Sequence, residues 1–279
     1  MKLKQFTPVP VIGLFLTSGA MADGYEEPLH PYLEWRHYFS LGVYEQEMEA
    51  EVGESRGPLP TLSIDLEDLE VDDEHTDVSL AYQYRFGERW AMVAAFNRFQ
   101  GDGKFGRNRS FSFGPLDFPF GVGVETEIEI DTYVLDLLYR AYRSSRAEIS
   151  VGAGIHAFDF YTSISAFGQA VTNVREESLE IDEFVAPLPN LRLQGFYAFT
   201  PRLALSGALG WLSVDIDEWD GNFRYYKADL SYRIGGGFVA SVGYQLTDMD
   251  ATRKQDKPRR RSDYELEFSG PSIHLSYGF

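Results

Sequence analysis

Two pairs of ionisable residues have the spacing that places both members on one face of a β-strand. His75 and Asp77 are two residues apart, and so are Asp215 and Asp217. Side chains at a period of two point to the same face of a strand. Histidine and aspartate side chains can act as general acids and bases. We assign no catalytic residue from this pattern alone, and these four residues are the candidates for a hydrolase.

Rows of carboxylates, in which acidic residues alternate with uncharged ones, form a second pattern. Each row lies on one face of a strand, so its oxygens can form a rim that binds Ca²⁺ or Mg²⁺, although no Asp/Asn/Gly calcium loop is present. The alternative is a solvated rim without bound ions, and no other cofactor is indicated. The rim residues are Glu45, Glu47, Glu125, Glu127, Glu129, Asp131, Glu265 and Glu267.

The composition excludes several classes of protein. A formal net charge of −18 repels nucleic acid, so we expect no nucleic-acid partner. The chain has no cysteine, and therefore no disulfide framework supports its fold. No stretch after the amino terminus reaches 18 consecutive apolar residues, which excludes helical membrane spans.

The first 22 residues have the order of a secretory signal peptide. Lys2 and Lys4 precede an apolar stretch, and small residues follow it up to Ala22. The alternative, a membrane anchor, is disfavoured by Pro8 and Pro10 and by the short apolar run, because a helical span needs about 20 residues. We predict cleavage after Ala22, which leaves residues 23–279 as a single domain.

Segments of alternating polarity come in pairs joined by very short turns. The apolar rows that flank each turn predict four hairpins. The turns are at 87–89, 143–146, 200–202 and 235–237. An opening strand around Phe39, Leu41 and Val43, together with a closing strand at the carboxyl terminus, brings the predicted total to ten strands.

The remaining connections are mostly longer and more polar. They lie at about 53–61, 101–123, 168–178, 220–222 and 251–263. Alternation of short and long connections is typical of transmembrane β-barrels, in which the tight turns face the periplasm and the long loops face outside. Both termini are then expected on the periplasmic side.

The final strand carries a recognisable pattern. Ile273, Leu275, Tyr277 and Phe279 alternate with small or polar residues. This ending resembles the terminal signal of Gram-negative outer-membrane β-barrel proteins. The resemblance implies an outer-membrane location and recognition by the periplasmic barrel assembly machinery.

A soluble sandwich or lipocalin-like barrel would also show alternating strands. The aromatic residues favour the membrane barrel, because those of the apolar rows cluster near the tight turns, as in an interfacial girdle. They are Tyr84, Phe86, Trp90, Tyr139, Tyr197, Phe199, Tyr232, Phe238, Tyr277 and Phe279. The fold class is therefore predicted to be all-β, a closed antiparallel transmembrane barrel.

Strand number limits the function. A barrel of eight strands is filled by side chains and open pores appear at 16 to 18, so about ten strands predict a narrow or blocked lumen. Charged residues in that lumen must pair, because an unpaired buried charge costs several kcal/mol. The luminal candidates are Arg36, Arg85, Arg192, Arg233, Asp136 and Asp229. A charge-paired plug is favoured over a selective ion path.

Within this barrel, the second and seventh strands are diametrically opposed. The pair His75 and Asp77 facing Asp215 and Asp217 across the lumen is similar to the active site of omptin outer-membrane proteases. The order departs from that family, because here the histidine pair is on the earlier strand and the aspartate pair on the later one. Serines near His156 and His274 suggest a lipid hydrolase instead, but no Gly-x-Ser-x-Gly elbow is present.

The sequence therefore predicts an outer-membrane barrel, monomeric by default, with a narrow charge-paired lumen and an acidic extracellular mouth. Its expected role is structural or binding work at the cell surface, or passage of small ions. A hydrolase is the alternative. Expected partners are the lipids of the outer membrane, with Arg259, Arg260 and Arg261 as a candidate site for the phosphates of lipopolysaccharide.

Overall fold

The computed structural model describes residues 27–56, 62–65, 75–106, 111–113, 116–118, 123–167, 178–216, 219–256 and 259–279. The predicted signal peptide lies outside these residues. No helix in the described part of the chain is long and apolar enough to cross a membrane.

Ten long antiparallel strands in the described residues form one closed barrel, as predicted. Each strand pairs with its neighbours along the chain, and the last strand pairs with the first. The strands are β1 (His37–Arg56), β2 (His75–Phe86), β3 (Trp90–Gly106), β4 (Gly123–Arg143), β5 (Ala147–Phe167), β6 (Ser178–Ala198), β7 (Leu203–Ile216), β8 (Trp219–Gly235), β9 (Phe238–Asp256) and β10 (Arg259–Gly278). A short strand, Leu62–Asp65, pairs antiparallel with residues 51–54 of β1, and Phe111–Phe113 pairs with Leu116–Phe118.

The seam between β1 and β10 joins the two ends of the sheet. Leu41 pairs with Leu275 and Phe39 with Tyr277. At the end of the seam, the carbonyl oxygen of Phe279 accepts hydrogen bonds from the backbone N–H groups of Arg36 and His37, both at 2.9 Å. No strand edge remains at this position, so the backbone polar groups of both strands are satisfied within the protein.

The four predicted tight turns all lie at one end of the barrel. β2 and β3 are joined at 87–89, β4 and β5 at 144–146, β6 and β7 at 199–202, and β8 and β9 at 236–237. Gly87, Gly236 and Gly237 have φ angles of 76°, 57° and 90°, in the left-handed region that side chains rarely adopt. Glycine is therefore required where the chain reverses direction over two or three residues.

The strands extend further from the turns than the sequence predicted. Residues 101–106 belong to β3, 220–222 to β8, and all but 257 and 258 of 251–263 to β9 or β10. The sequence predicts loops here, because the residues of these segments are mostly polar and form no alternating apolar row. Strands that leave the bilayer have water on their outer face, and so they need no apolar row to continue pairing.

A band of apolar side chains surrounds the outside of the barrel. Leu80, Leu135, Leu230 and Leu275 are all about half exposed to the surroundings, at 45% to 52%. On β4 the band runs from Tyr133 to Tyr142, which at about 3.3 Å per residue and a tilt of about 40° corresponds to roughly 23 Å. A band of this height matches the hydrocarbon layer that surrounds a transmembrane barrel.

Aromatic rings line the band near the turns, as predicted. The rings of Trp90 and Tyr139 are 5.2 Å apart, and those of Phe238 and Tyr277 are 4.8 Å apart. Phe279 stacks on His37 at 4.8 Å. Rings at one level, apolar on one side and polar on the other, mark the boundary between acyl chains and water.

The glycines of the last turn give a testable prediction of stability. A Cβ at Gly237 would lie 2.5 Å from the carbonyl oxygen of Gly278, whereas a Cβ at Gly87 would meet nothing within 4 Å. Both positions have positive φ, so an alanine at either costs on the order of 1 kcal/mol. We expect Gly237→Ala to lower the urea midpoint of the folded barrel more than Gly87→Ala. Equal midpoints for the two variants would contradict this clash.

Candidate functional site

The inward row of each strand is small or polar, and it fills the lumen in layers. Gln83, Arg85, Ser150 and His274 are at least 93% buried, and Asp136 is fully buried. These residues alternate with the exposed apolar residues of the outer band. The predicted polar lumen is therefore confirmed.

A segment that the sequence did not identify closes the layer nearest the turns. Residues 27–36 precede β1, and Pro31–Leu33 forms one 3-10 turn. Nδ1 of His30 accepts a hydrogen bond from the N–H of Tyr32 at 3.2 Å. Tyr32 and Leu33 are buried at 7% and 1% exposure. Tyr32 stacks on Phe196 with 4.3 Å between ring centroids. We call residues 27–36 the amino-terminal plug.

Hydrogen bonds from the plug cross the lumen. The hydroxyl of Tyr32 donates to Oε1 of Gln83 on β2 at 3.4 Å, and it accepts from Nε2 of Gln194 on β6 at 3.1 Å. Gln194 also donates directly to Gln83 at 3.1 Å. Because β2 and β6 lie nearly opposite each other in a ring of ten strands, these side chains meet across the interior of the barrel.

Charge pairs hold the plug against the wall. Arg85 donates to the carbonyl oxygens of Tyr32 and Trp35 and forms an ion pair with Glu148 at 2.9 Å. Arg140 contacts the other oxygen of Glu148 at 2.9 Å. A guanidinium bound by both a carboxylate and two carbonyl groups satisfies most of its donors.

A second polar layer lies further from the turns. Asp136 on β4 accepts hydrogen bonds from Arg192 at 2.6 Å and from Asn190 at 3.2 Å. Lys227 on β8 donates to the hydroxyl of Tyr44 at 2.9 Å and lies 3.8 Å from Asp229. The predicted pairing of Arg85, Arg192, Asp136 and Asp229 inside the lumen is therefore confirmed.

The predictions of a luminal position for Arg36 and Arg233 have different outcomes. Arg233 belongs to the inward row, between the outward Tyr232 and Ile234. The prediction for Arg36 is wrong: its side chain is exposed and lies over the outward ring of Tyr84 at 5.6 Å. Arg36 precedes β1, so the alternation of that strand does not determine its direction.

Above the second layer the lumen contains a cavity of about 150 Å³. Its polar lining includes Tyr44, His156, Arg192, Tyr225, Lys227 and His274. Its apolar lining includes Phe99, Ile130, Val134, Phe223, Met249 and Phe268. Phe99 on β3 and Phe268 on β10 meet edge to face at 5.1 Å, on the side of the cavity away from the turns.

His156 is the most unusual residue of this cavity. It is 4% exposed, and neither ring nitrogen has a hydrogen-bond partner in the described residues. Its Nε2 lies 3.9 Å from Oδ1 of Asp136, and its ring contacts Phe223 at 5.2 Å. Buried polar groups are normally hydrogen-bonded, so a histidine with two unsatisfied nitrogens beside a cavity marks a candidate binding position.

Of the four candidate catalytic residues, the structure describes the side chain of Asp77 alone. Asp77 is buried on the inward row, where its Oδ1 accepts from the N–H of Gln100 at 3.1 Å. His75 pairs through its backbone with Gln46, and Asp215 pairs through its backbone with Asp220. The side chains of both, and the whole of Asp217, are outside the described part, so the facing of the two pairs stays a prediction.

His274 also lacks the geometry of a catalytic triad. Its Nε2 is 3.1 Å from the hydroxyl of Ser272, 3.3 Å from Lys227 and 3.5 Å from Asp229. A triad requires the serine and the carboxylate on different ring nitrogens. All three contacts here converge on one nitrogen, so this group forms part of the charge-paired layer.

The carboxylate rim lies on the outer wall rather than in the mouth. Glu45 and Glu47 continue the outward row of Phe39, Leu41 and Val43. In the same way, Glu127, Glu129 and Asp131 continue the outward row of β4, and Glu265 and Glu267 that of β10. The prediction that these carboxylates surround the inner mouth of the barrel is corrected, because the described ones belong to outward rows. The periodicity of the sequence does not say which face of a strand is the outward one.

Some of the rim carboxylates have partners on β3. Arg98 donates to both oxygens of Asp131 at 2.7 Å, and Gln100 donates to Glu129 at 2.6 Å. The backbone of Glu49 pairs with that of Glu267, as expected for neighbouring first and last strands. The side chain of Glu125 is outside the described part, and no group of three metal-ligating residues occurs in the described residues. Cation binding by this rim stays a prediction.

Two Asp–Arg pairs on β4 allow a matched test of burial. Asp136 is fully buried with Arg192 at 2.6 Å, whereas Asp131 pairs with the exposed Arg98 at 2.7 Å. Removal of one partner from a buried pair costs about 3 to 5 kcal/mol, and an exposed pair contributes about 1 kcal/mol or less. We expect Asp136→Ala to lower the free energy of unfolding in lipid vesicles by several times more than Asp131→Ala. Similar losses would mean that water reaches Arg192.

No known protein family matches the sequence, and no curated protein matches it. Solved structures do resemble the fold. The outer-membrane protease OmpT of Escherichia coli aligns with a TM-score of 0.51 and 10% identity, over 87% of this chain and 97% of that chain. The toluene transporter TbuX of Ralstonia pickettii aligns at 0.34 and 13% identity, over 91% and 92%.

The similarity to OmpT concerns the fold alone, because the identity is far below the level that carries function. It agrees with the ten closed strands, the apolar outer band and the polar lumen described above. The chain therefore has the fold of a Gram-negative outer-membrane β-barrel protein.

Proposed function

We propose that this protein is a plugged outer-membrane barrel that binds a small molecule in its lumen, rather than an open channel or a hydrolase. The observation that carries the proposal is the amino-terminal plug, which fills the lumen on the turn side of the second layer and of the cavity above it. A plug that closes the periplasmic end leaves the cavity as a pocket instead of a section of a pore. Ligand sites in small barrels commonly occupy such positions near the mouth.

The plug is well supported by its contacts. Tyr32 is held by stacking on Phe196 and by hydrogen bonds with Gln83 and Gln194. Arg85 binds the plug backbone on one side and Glu148 on the other. An ion that crosses this layer must separate buried charge pairs, which costs several kcal/mol.

The cavity has the features of a binding pocket. Aromatic and aliphatic side chains share its wall with hydroxyl, amide and basic side chains, and Arg192 and Lys227 reach it from the second layer. Pockets for small molecules are typically apolar with a few polar groups that fix the orientation of the ligand. The hydrolase alternative receives less support, since Asp77 is engaged by Gln100 and His274 has no triad geometry.

Conductance in planar lipid bilayers tests the plug. We expect the purified wild-type protein to give no stable current steps. The double variant Tyr32→Ala/Gln194→Ala should give steps, because it removes the ring and the amide that span the lumen. Tyr82→Ala is the control, since Tyr82 lies on the outward row beside His37 and Phe39. Stable current steps from the wild-type barrel would overturn the proposal in favour of a small-ion channel.

A further inference from the structure

We propose that the luminal cavity binds a small organic acid whose apolar body is about the size of one aromatic ring. This inference rests on the proposed ligand-binding function and adds the charge, the size and the contact residues of the ligand. It is argued from the polarity of the lining, from unsatisfied donors beside the cavity and from the volume.

The first argument is the charge of the cavity wall. Arg192, Lys227, His156 and His274 line the cavity, whereas no Asp or Glu does so in the described residues. Their carboxylate partners lie behind them, and Asp136 is fully buried. A ligand in the cavity therefore contacts the nitrogen-bearing side chains directly, whereas the carboxylates lie behind them. This arrangement favours an anionic head group.

The second argument is a set of buried nitrogens to which the protein offers no partner. Both ring nitrogens of His156 and the Nε of Arg192 are buried without a hydrogen-bond partner in the described part of the chain. These two side chains are neighbours, because Asp136 lies 2.6 Å from Arg192 and 3.9 Å from His156. A neutral imidazole donates from one ring nitrogen, so a carboxylate, which accepts about four hydrogen bonds, can accept one bond from His156 and others from the guanidinium of Arg192.

The third argument is the size and polarity of the remaining wall. Phe99, Phe223 and Phe268 form an apolar part of the wall, and Ile130, Val134 and Met249 extend it. Phe223 also contacts the ring of His156 at 5.2 Å. A volume of about 150 Å³ is comparable with the engineered protein cavity that binds benzene. One aromatic ring fits a space of this volume.

The acidic composition of the chain does not oppose this assignment. The described carboxylates of the rim belong to the outward rows of β1, β4 and β10, so they face away from the lumen. Alternation along the strands thus separates an acidic outer wall from a basic inner cavity.

Three probes with one ring and a fourth without a ring separate the possibilities. Isothermal titration of the purified full-length barrel in detergent, at pH 7.5, compares benzoate, benzyl alcohol, benzylamine and acetate. We expect benzoate to bind at least tenfold more tightly than each of the others, because only benzoate combines the negative head with the ring. If benzyl alcohol or benzylamine binds as tightly, the acid is the wrong ligand class and the binding function stands. If none of the probes binds, the proposed function and this inference both fail.

Variants of His156 test whether the carboxylate of the ligand binds at this side chain. His156→Leu should weaken benzoate at least tenfold, and His156→Gln, which retains a hydrogen-bond donor, should weaken it less. Ile155→Ala is the matched control, since Ile155 precedes His156 on β5 and is 44% exposed on the outer face. Heat-modified migration in gels confirms that each variant is folded.

Unchanged affinity in His156→Leu would overturn the assigned contact. If that variant does not fold, Phe223→Leu provides an independent test of the same cavity. The ring of Phe223 is expected to contact the ring of the ligand, so benzoate should bind more weakly to this variant, and the ratio of benzoate affinity to acetate affinity should decrease. If the benzoate affinity and this ratio are both unchanged in Phe223→Leu, the ligand binds elsewhere.

Discussion

The structure depends on the requirement that a chain in lipid must satisfy every backbone N–H and C=O group internally. A sheet meets this requirement only by closing on itself, and the pairing of β1 with β10 provides the closure. Closure also fixes the direction of every side chain, because successive residues alternate between lipid and lumen. The apolar outer band and the charged interior are two consequences of the same constraint.

The interior shows how a narrow barrel accommodates charge. Arg85, Glu148 and Arg140 form one group, and Asp136, Arg192 and Asn190 form another. Desolvation of such ions is costly, and their pairing offsets this cost only with well-directed hydrogen bonds. The groups therefore fix the arrangement of the plug and the second layer more than they raise overall stability. His156 departs from this pattern by lying beside Asp136 without a hydrogen bond.

Local sequence signals predicted much of the fold but less of the site. Tight turns, the alternating rows and the aromatic girdle depend on neighbouring residues, so they could be located without coordinates. The plug could not, because residues 27–36 have no periodicity and acquire their position only from Phe196, Gln83 and Gln194 on distant strands. The face of the acidic rows is a case that the sequence contains in part, since Glu45 continues the outward row of Val43, but the periodicity alone does not say which row faces outward.

The plug lies immediately before β1 and next to the strand that closes the sheet. Trp35 occupies the space where Gly278 has no side chain, and Arg36 bonds to Phe279 at the end of β10. The seam in this register and the placement of residues 27–36 therefore depend on each other, because Trp35 fills the space beside Gly278 and the backbone of Arg36 bonds to the end of the last strand. The amino-terminal residues belong to none of the ten strands, and yet they take part in closing the cylinder.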